Sequence, residues 1–402
     1  GYDNKGNALP IGIMTMDGVN GTKSNVRGGN DREDRPQVSH QVAGHIRRLV
    51  HSDRFHQNSA ELHDDLKERL AVLSGLPRDH IQICSSIGQG LEWTARIFCN
   101  PGDEAVICGP EEHDVAMFLE KYGVKTEFHF APSPFSADID GIVDRITDKT
   151  RLIYLEQPNS VTGTMYSRYE IEALLNASGN VILVVNESCR AFSDSSVAGL
   201  VRRYDNLIIL RSIYSTRQFE ELPVCYILSS RNSSVRLNRY AAEGRPSLIR
   251  QAAANVILND MANTIQMNSR IHDTMIYMIV RLRGLGITAR MTPGDSVLIR
   301  VVDPGMVASL LTGAGLMARS LRHLKGLEYY LSLTITDETT AQRAIEVIDD
   351  IPRRYLTETA TGRTKLTLRR TAEEGGGTKD LKSDTEKNKE DCTVQCPYRD
   401  PA

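Results

Sequence analysis

Short apolar runs alternate with amphipathic segments through the middle of the chain. The apolar runs are rich in β-branched side chains, and the segments between them carry apolar residues at helical spacing. Runs too apolar for a half-exposed strand are typical of a mostly parallel sheet that helices cover on both faces. The pattern therefore predicts a doubly wound α/β domain with strands at IQIC, AVIC, RLIYLE, VILVV and LIIL.

Composition changes along the chain and predicts four regions. Residues 1–40 are rich in Gly, Asn, Asp and Arg, which favours an irregular arm, whereas residues 41–283 carry the α/β pattern of a large domain. Residues 284–360 again alternate strand-like and helix-like segments, which predicts a small C-terminal α+β subdomain. Residues 361–402 are too polar and too rich in glycine to form a core, so we expect disorder or a partner-bound tail there.

Charge and cysteine content narrow the classes of function. A formal net charge of -3 provides no broad basic surface, so nucleic acid is not an expected partner. No apolar run reaches the length of about 18 residues that suggests a membrane span, and the first residues lack a signal-peptide pattern. We therefore expect no membrane partner and a cytoplasmic location. Seven cysteines, an odd number, suit reduced thiols, and no metal-ligand spacing occurs.

Five segments occur in the order and spacing of one enzyme family. They are ELHDDLKERLAVLSGLPRDHIQICSSIGQGLEW, NPGDEAVICGPEEHDVAMF, QPNSVTG, VILVVNESCRAF and LIILRSIYSTRQFEELPVCYIL. Together they resemble the class I/II aminotransferases, and histidinol-phosphate aminotransferase most closely, over roughly residues 40–352. The resemblance implies the fold-type-I architecture of enzymes that use pyridoxal phosphate (PLP), which are usually dimers with active sites at the subunit interface.

The resemblance also implies which residues would hold PLP, and most of them are replaced. The lysine that forms the Schiff base corresponds to Ser215, and no lysine occurs from Thr150 to Leu324. The carboxylate that keeps the ring nitrogen protonated corresponds to Asn186, which carries no charge. The family's ring-oxygen asparagine and tyrosine, phosphate arginine and substrate arginine correspond to Ser160, Cys189, Pro223 and Ser332. We therefore expect no bound cofactor.

The phosphate end of this site is retained in part. The retained residues are Ser85, Ser86, Gly88, Gln89 and Gly90 before a predicted helix, and Ser212 on the lysine segment. Free backbone N–H groups and the helix dipole favour an anion at such a turn, although a glycine turn also opens many strand–helix units that bind nothing. A small anionic molecule is thus a possible ligand.

Candidates for chemistry in the altered pocket are Tyr214, Ser215, Arg217, Glu187 and His113. The planar fork of Arg217 suits a carboxylate or phosphate, but the same arginine would also serve as a structural partner of Glu187 or of other nearby acids. His113 stands among acidic residues, which would form either an acid–base group or favourable partners of a helix dipole. Cys189 would act as a nucleophile only beside a base such as His113, and a buried inert thiol is the alternative.

Three functions are compatible with these residues, and we give them in order of preference. The first is a degenerate subunit that has lost transamination and acts through association, as a homodimer or as a heterodimer with a related aminotransferase. The second is a PLP-independent enzyme that uses the vacated pocket for an anionic or phosphorylated substrate. The third is an enzyme that holds PLP or pyridoxamine phosphate without a covalent bond. Because so many cofactor contacts are replaced together, we expect no ordinary transamination.

Overall fold

The computed structural model describes residues 44, 47, 48, 51, 59–110, 113–189, 196–213, 224–241, 244–259 and 261–357. The predicted arm over residues 1–40 and the predicted tail over residues 361–402 lie outside this part of the chain, and so do Tyr214, Ser215, Arg217 and Pro223. Only the backbone of His113 is described.

Within the described residues, seven strands form the large sheet in the order β1-β7-β6-β5-β4-β2-β3. The strands are β1 (Ile81–Cys84), β2 (Glu104–Cys108), β3 (Lys125–His129), β4 (Thr150–Glu156), β5 (Ile182–Asn186), β6 (Leu207–Ser212) and β7 (Cys225–Ser229). β7 is antiparallel to both β1 and β6, whereas the other neighbouring pairs are parallel. The predicted mostly parallel sheet is confirmed.

Helices cover both faces of this sheet, as its apolar strands require. The described helices up to residue 284 are α1 (Ser59–Ser74), α2 (Ile87–Phe98), α3 (His113–Glu120), α4 (Ile139–Val143), α5 (Arg168–Ala177), α6 (Arg231–Ala241), α7 (Leu248–Asn259) and α8 (Met261–Gly284). Helices α2, α3 and α6 bury apolar side chains in one cluster with the sheet. Helices α1, α5 and α7 do so in a second cluster, which also contains alternate residues of the strands. Every strand of the large sheet except the edge strand β3 therefore contributes to two cores, because successive side chains point to opposite faces.

Two strands of the large sheet were not predicted from the sequence. β3 is the edge strand next to β2, and its residues alternate between exposed and more buried positions, so its sequence KTEFH is too polar to be recognised as a core strand. β7 is fully buried but lies within the segment that was read only for its resemblance to the lysine region. Pairing with neighbours, not local sequence, determines both strands.

Within the described part of the chain, a second sheet of four antiparallel strands has the order β10-β11-β9-β8. Its strands are β8 (Ala289–Met291), β9 (Ser296–Arg300), β10 (Ala318–Ser320) and β11 (Tyr330–Thr334), and its helices are α9 (Pro304–Gly313), α10 (Glu338–Asp350) and α11 (Arg353–Leu356). Side chains from α8, α9 and α10 form a core with this sheet that is separate from the two cores of the large sheet. The domain limits at residues 41, 283, 284 and 360 remain predictions. Among the described helices, none has both the length and the apolar character that a membrane crossing needs.

Candidate functional site

The carboxyl ends of β4, β5 and β6 bring five of the predicted site residues to one edge of the sheet. Ser160 follows β4, Cys189 follows β5, and Ser212 is the last residue of β6. In the register of the parallel pair β4 and β5, Glu156 lies opposite Asn186. Ligands of open α/β sheets bind at this edge, because the loops there are free to vary while the strands hold them in place.

Asn186, at the end of β5, is engaged at both ends of its amide. Its Nδ2 donates to the hydroxyl of Tyr154 at 2.9 Å, and its Oδ1 accepts from the backbone N–H of Ser188 at 3.0 Å. Both Asn186 and Tyr154 are buried. The position that the resemblance assigns to a charged partner of the pyridine nitrogen thus holds a neutral group with partners from the protein itself.

Glu156 connects two of the replaced positions, and the sequence analysis missed it. Its Oε2 accepts from the backbone N–H and the hydroxyl of Ser160, both at 2.8 Å, and from Nδ2 of Asn159 at 3.3 Å. Its Oε1 lies 3.8 Å from the sulfur of Cys189, which donates to it. The sequence did indicate Glu156, because it ends the apolar run RLIYLE. A carboxylate buried at such a position is costly unless other groups bond to it, which marks the residue as one with a specific role.

Glu187 follows Asn186 directly but belongs to a buried ion pair. Nε of Arg211 on β6 donates to Oε2 of Glu187 at 2.8 Å, and the two side chains are 3% and 0% exposed. The backbone N–H of Val197 and the hydroxyl of Ser196 also donate to the Glu187 carboxylate. The described ion-pair partner of Glu187 is therefore Arg211, and this geometry favours a structural role for Glu187 over its place among the catalytic candidates.

The predicted anion turn caps its own helix. Ser86 is the N-cap residue of α2, and its hydroxyl accepts from the backbone N–H of Gln89 at 3.0 Å. The Gln89 side chain accepts in return from the backbone N–H of Ser85 at 2.7 Å. Gly88 lies in the first turn of the same helix. Reciprocal bonds of this kind satisfy donors that an anion would otherwise take.

Gly90 allows α2 to pack directly on the sheet. A Cβ atom at this position would lie 3.0 Å from Cδ2 of Leu210 on β6 and 3.5 Å from the sulfur of Cys84 on β1. The 3.5 Å distance is an ordinary contact, but the 3.0 Å distance leaves no room for a side chain unless Leu210 moves. The glycine is therefore explained by close packing of helix and sheet, whether or not a ligand binds at the turn.

Cys225 lies beside this turn, at the start of β7. It is opposite Ser212 in the register of β6 and β7, and opposite Cys84 in that of β1 and β7. Burial raises the pKa of the Cys225 thiol to about 12, although hydrogen bonds from the Ser212 hydroxyl and from the backbone N–H of Ile87 act in the opposite direction. The Ser212 hydroxyl, which the resemblance assigns to the cofactor phosphate, and the first backbone N–H of α2 are thus directed at a sulfur atom.

The remaining predicted residues are separate from this cluster or outside the described chain. Ser332 lies on β11 of the small sheet, opposite Leu298 on β9 and Arg319 on β10. The backbone of His113 begins α3, and the side chains of Tyr214, Ser215 and Arg217 are not among those described. The described residues contain no group of three or more His, Cys, Asp or Glu side chains placed to hold a metal ion.

Comparisons with known proteins agree with the fold. A histidinol-phosphate aminotransferase of Serratia proteamaculans is 25% identical over 292 residues, which cover 71% of this chain and 80% of that protein. A histidine biosynthesis bifunctional protein of Photorhabdus laumondii is 25% identical over 290 residues, which cover 70% of this chain but only 35% of that longer protein. The crystal structure of histidinol-phosphate aminotransferase from Sinorhizobium meliloti, in complex with pyridoxal-5'-phosphate, superposes with a TM-score of 0.68 at 18% identity and covers 78% of this chain and 88% of that one.

A family model also matches most of the chain. The model described as "Aminotransferase class I and II" matches residues 28–348, which is more than half of the 402 residues. The matched region contains the large sheet, its helices and the small sheet. From the order of the strands, the positions at their carboxyl ends and this match, the chain belongs to the class I and II aminotransferase family.

Proposed function

We propose that this chain has lost PLP-dependent transamination and acts as a degenerate subunit through association, either with a second copy or with a related aminotransferase. One observation carries the loss of activity. No lysine occurs from Thr150 to Leu324, the stretch that contains β4, β5 and β6 and the loops after them. None of these strands, nor any loop after them, therefore carries a lysine amine at the position that the resemblance assigns to the Schiff base with the cofactor.

The geometry supports this proposal at the two ends of the implied cofactor site. At the ring end, the neutral amide of Asn186 is bonded to Tyr154 and Ser188, so it supplies no negative charge for a pyridinium. At the phosphate end, the Ser212 hydroxyl and the Ile87 N–H are directed at the Cys225 thiol. We infer that these residues do not fit pyridoxal phosphate.

Exposed apolar side chains on α8 support the association. Ile265, Ile276 and Val280 are 61%, 40% and 60% exposed. At about 100° per residue, their spacing places them within roughly 60° of one another on a single face of the helix. A stripe of this kind on a soluble helix is typical of a surface that another chain covers.

Absorbance tests the loss of cofactor chemistry. Purified protein is titrated with PLP, and the spectrum is followed between about 320 and 430 nm, where the free and protein-bound forms of the cofactor absorb differently. We expect no saturable spectral change and no amino transfer from glutamate to a 2-oxo acid. A lysine-bearing histidinol-phosphate aminotransferase serves as the positive control. A saturable band with this chain would overturn the proposed loss.

Light scattering after size exclusion tests the association. We expect a stable dimer of this chain alone, or a one-to-one complex when it is mixed with the lysine-bearing relative. Replacement of Ile276 and Val280 by glutamate should disperse that complex, because charges on the apolar stripe oppose its burial. Val235 on α6 is 66% exposed and provides a matched control, since Val235→Glu should leave the assembly unchanged. A monomer under both conditions would reject association.

A further inference from the structure

Two buried cysteines face each other at one end of the large sheet. Cys84 is the last residue of β1, Cys225 is the first residue of β7, and the two are opposite in the antiparallel register of these strands. They are 1% and 3% exposed, and both belong to the apolar cluster that the sheet forms with α2, α3 and α6. Opposite residues on one face of an antiparallel pair have neighbouring side chains, so the two thiols are adjacent.

The backbone geometry of such a pair suits a disulfide bond. Opposite residues of antiparallel strands lie about 4.5 or about 5.5 Å apart between Cα atoms, according to their hydrogen-bond pattern. A disulfide bond accepts Cα separations of about 4.4–6.8 Å and Cβ separations of about 3.5–4.5 Å. Because the Cβ atoms of a close cross-strand pair are about 4.5 Å apart, a small shift of the strand ends is enough to join the sulfur atoms.

The polar groups around the two sulfur atoms come from the start of α2 and the end of β6. The Cys84 thiol donates to the backbone carbonyl of Ser86 at 3.4 Å. The Cys225 sulfur accepts from the Ser212 hydroxyl and from the backbone N–H of Ile87, the first residue of α2. Donors at a helix N-terminus favour a negative charge, so they stabilise a thiolate when one forms there.

The ionisation of the two thiols gives separate evidence that they are close. Burial raises the pKa of the Cys84 thiol, and the Cys225 thiol acts in the same direction. A structural zinc ion requires four ligands, and the described residues include no third His, Cys, Asp or Glu placed with this pair to hold a metal ion. The two thiols are therefore better placed to bond to each other than to share a metal.

The position of the pair at the end of two strands gives an oxidant a route to it. The register of β1 and β7 runs from Ile81 opposite Leu228 to Cys84 opposite Cys225, which is its last pair, and β1 is an edge strand. The end of an edge strand opens at a much lower free energy than the whole protein unfolds. A small oxidant therefore reaches the thiols slowly, through local opening, although both are buried in the closed state.

We propose that Cys84 and Cys225 form a reversible cross-strand disulfide under oxidising conditions, with a peroxide as the oxidant. One thiolate attacks an oxygen of hydrogen peroxide and becomes a sulfenic acid, while the other oxygen leaves as hydroxide. The second thiolate attacks the sulfenic sulfur, forms the S–S bond and releases a second hydroxide. The two thiol protons convert both hydroxides to water, so two thiols lose two electrons and one peroxide becomes two water molecules.

The disulfide would tie the edge strand β1 to the interior strand β7 and hold the start of α2. It closes a long loop, from residue 84 to residue 225, and such cross-links restrict the unfolded chain most strongly. In a reducing compartment the pair stays reduced, as the odd number of cysteines predicts. This inference is independent of the proposed association and loss of transamination, because it concerns two thiols inside one chain.

Peptide mass spectrometry tests the proposal on the full chain. Because Cys392 and Cys396 are close in sequence, Cys392→Ser/Cys396→Ser is used as the background. The native protein is kept with millimolar hydrogen peroxide for hours, its remaining thiols are blocked, and it is digested without reduction. We expect two peptides joined through Cys84 and Cys225, which dithiothreitol separates. The melting temperature should rise by at least about 5 °C on oxidation and return on reduction.

Matched variants assign the bond to this pair. Cys84→Ser and Cys225→Ser should each abolish the cross-link and the rise in melting temperature. Cys108→Ser removes a thiol that is similarly buried but belongs to the core on the opposite face of the sheet, so it should keep both effects. If a serine variant at position 84 or 225 fails to fold, the oxidised and reduced forms of the background protein still decide, since they share one sequence.

Three results would overturn the proposal. The first is that both thiols stay free, or gain oxygen without a cross-link, after treatment with peroxide. The second is that Cys84 or Cys225 joins other cysteines as often as the two join each other. The third is that the cross-linked protein melts at the same temperature as the reduced protein, or below it.

Discussion

The buried pair of Glu187 and Arg211 allows a direct test of whether Glu187 is structural. The perturbation is Arg211→Met, which keeps an apolar stem of similar length and removes the guanidinium. Glu187, whose side chain is fully buried, would then keep only the donors from Ser196 and Val197 for a carboxylate that had four described hydrogen-bond contacts. An uncompensated charge inside the protein is strongly destabilising, because water no longer solvates it.

The expected magnitude follows from the burial of both partners. Removal of one member of a buried pair costs about 3–5 kcal/mol, and two remaining donors place Arg211→Met near the lower end of this range. Glutamine at position 187 would keep an acceptor oxygen for the Val197 N–H without the charge. The double variant Arg211→Met/Glu187→Gln should therefore recover more than half of the loss in the free energy of unfolding.

Urea denaturation followed by circular dichroism measures these differences as shifts of the transition midpoint. Glu92 and Arg96 on α2 form a surface pair at 3.5 Å with 29% and 44% exposure, so Arg96→Met should cost less than about 1 kcal/mol. The reasoning is refuted if Arg211→Met is as mild as Arg96→Met, or if the double variant is no more stable than Arg211→Met alone.

Three further predictions concern other buried groups. Burial lowers the pKa of His129, so the unfolded chain binds a proton at this residue more readily than the folded protein does. The melting temperature should therefore fall as the pH drops below about 6.5, and His129→Gln should make this fall shallower. An unchanged slope in the variant would contradict the lowered pKa of His129. Gly90→Val should destabilise the protein by about 1–3 kcal/mol in the same urea assay through its clash with Leu210, and a neutral effect would show that the helix moves freely. Burial raises the pKa of the Cys225 thiol to about 12, so this thiol should resist alkylation in the native protein at pH 8 and react after unfolding. Peptide mass spectrometry detects the alkylated cysteine. Rapid labelling of Cys225 in the native protein would exclude the burial described.

The sequence alone determined the fold class of this protein and most strands of its large sheet. The apolar runs predicted the strands β1, β2, β4, β5 and β6. A strand that is buried on both faces is apolar at nearly every position, so its sequence is not mistaken for that of a loop. The order of the family segments predicted the fold, which the comparisons confirm. The absence of lysine between Thr150 and Leu324 was also visible, because it concerns which residues are present and not where they point.

Tertiary structure alone decided which of these residues meet. Asn186 and Glu187 are neighbours in sequence, yet one faces Tyr154 and the other Arg211, because alternate residues at a strand end point to opposite faces. Cys225 reaches the turn at Ile87 because β7 pairs with β1, a contact between segments far apart in sequence. Lys325 and Glu156 line one pocket because the small sheet's loop packs against the loop after β3. Such juxtapositions depend on strand pairing and packing over long sequence separations, which no local pattern encodes.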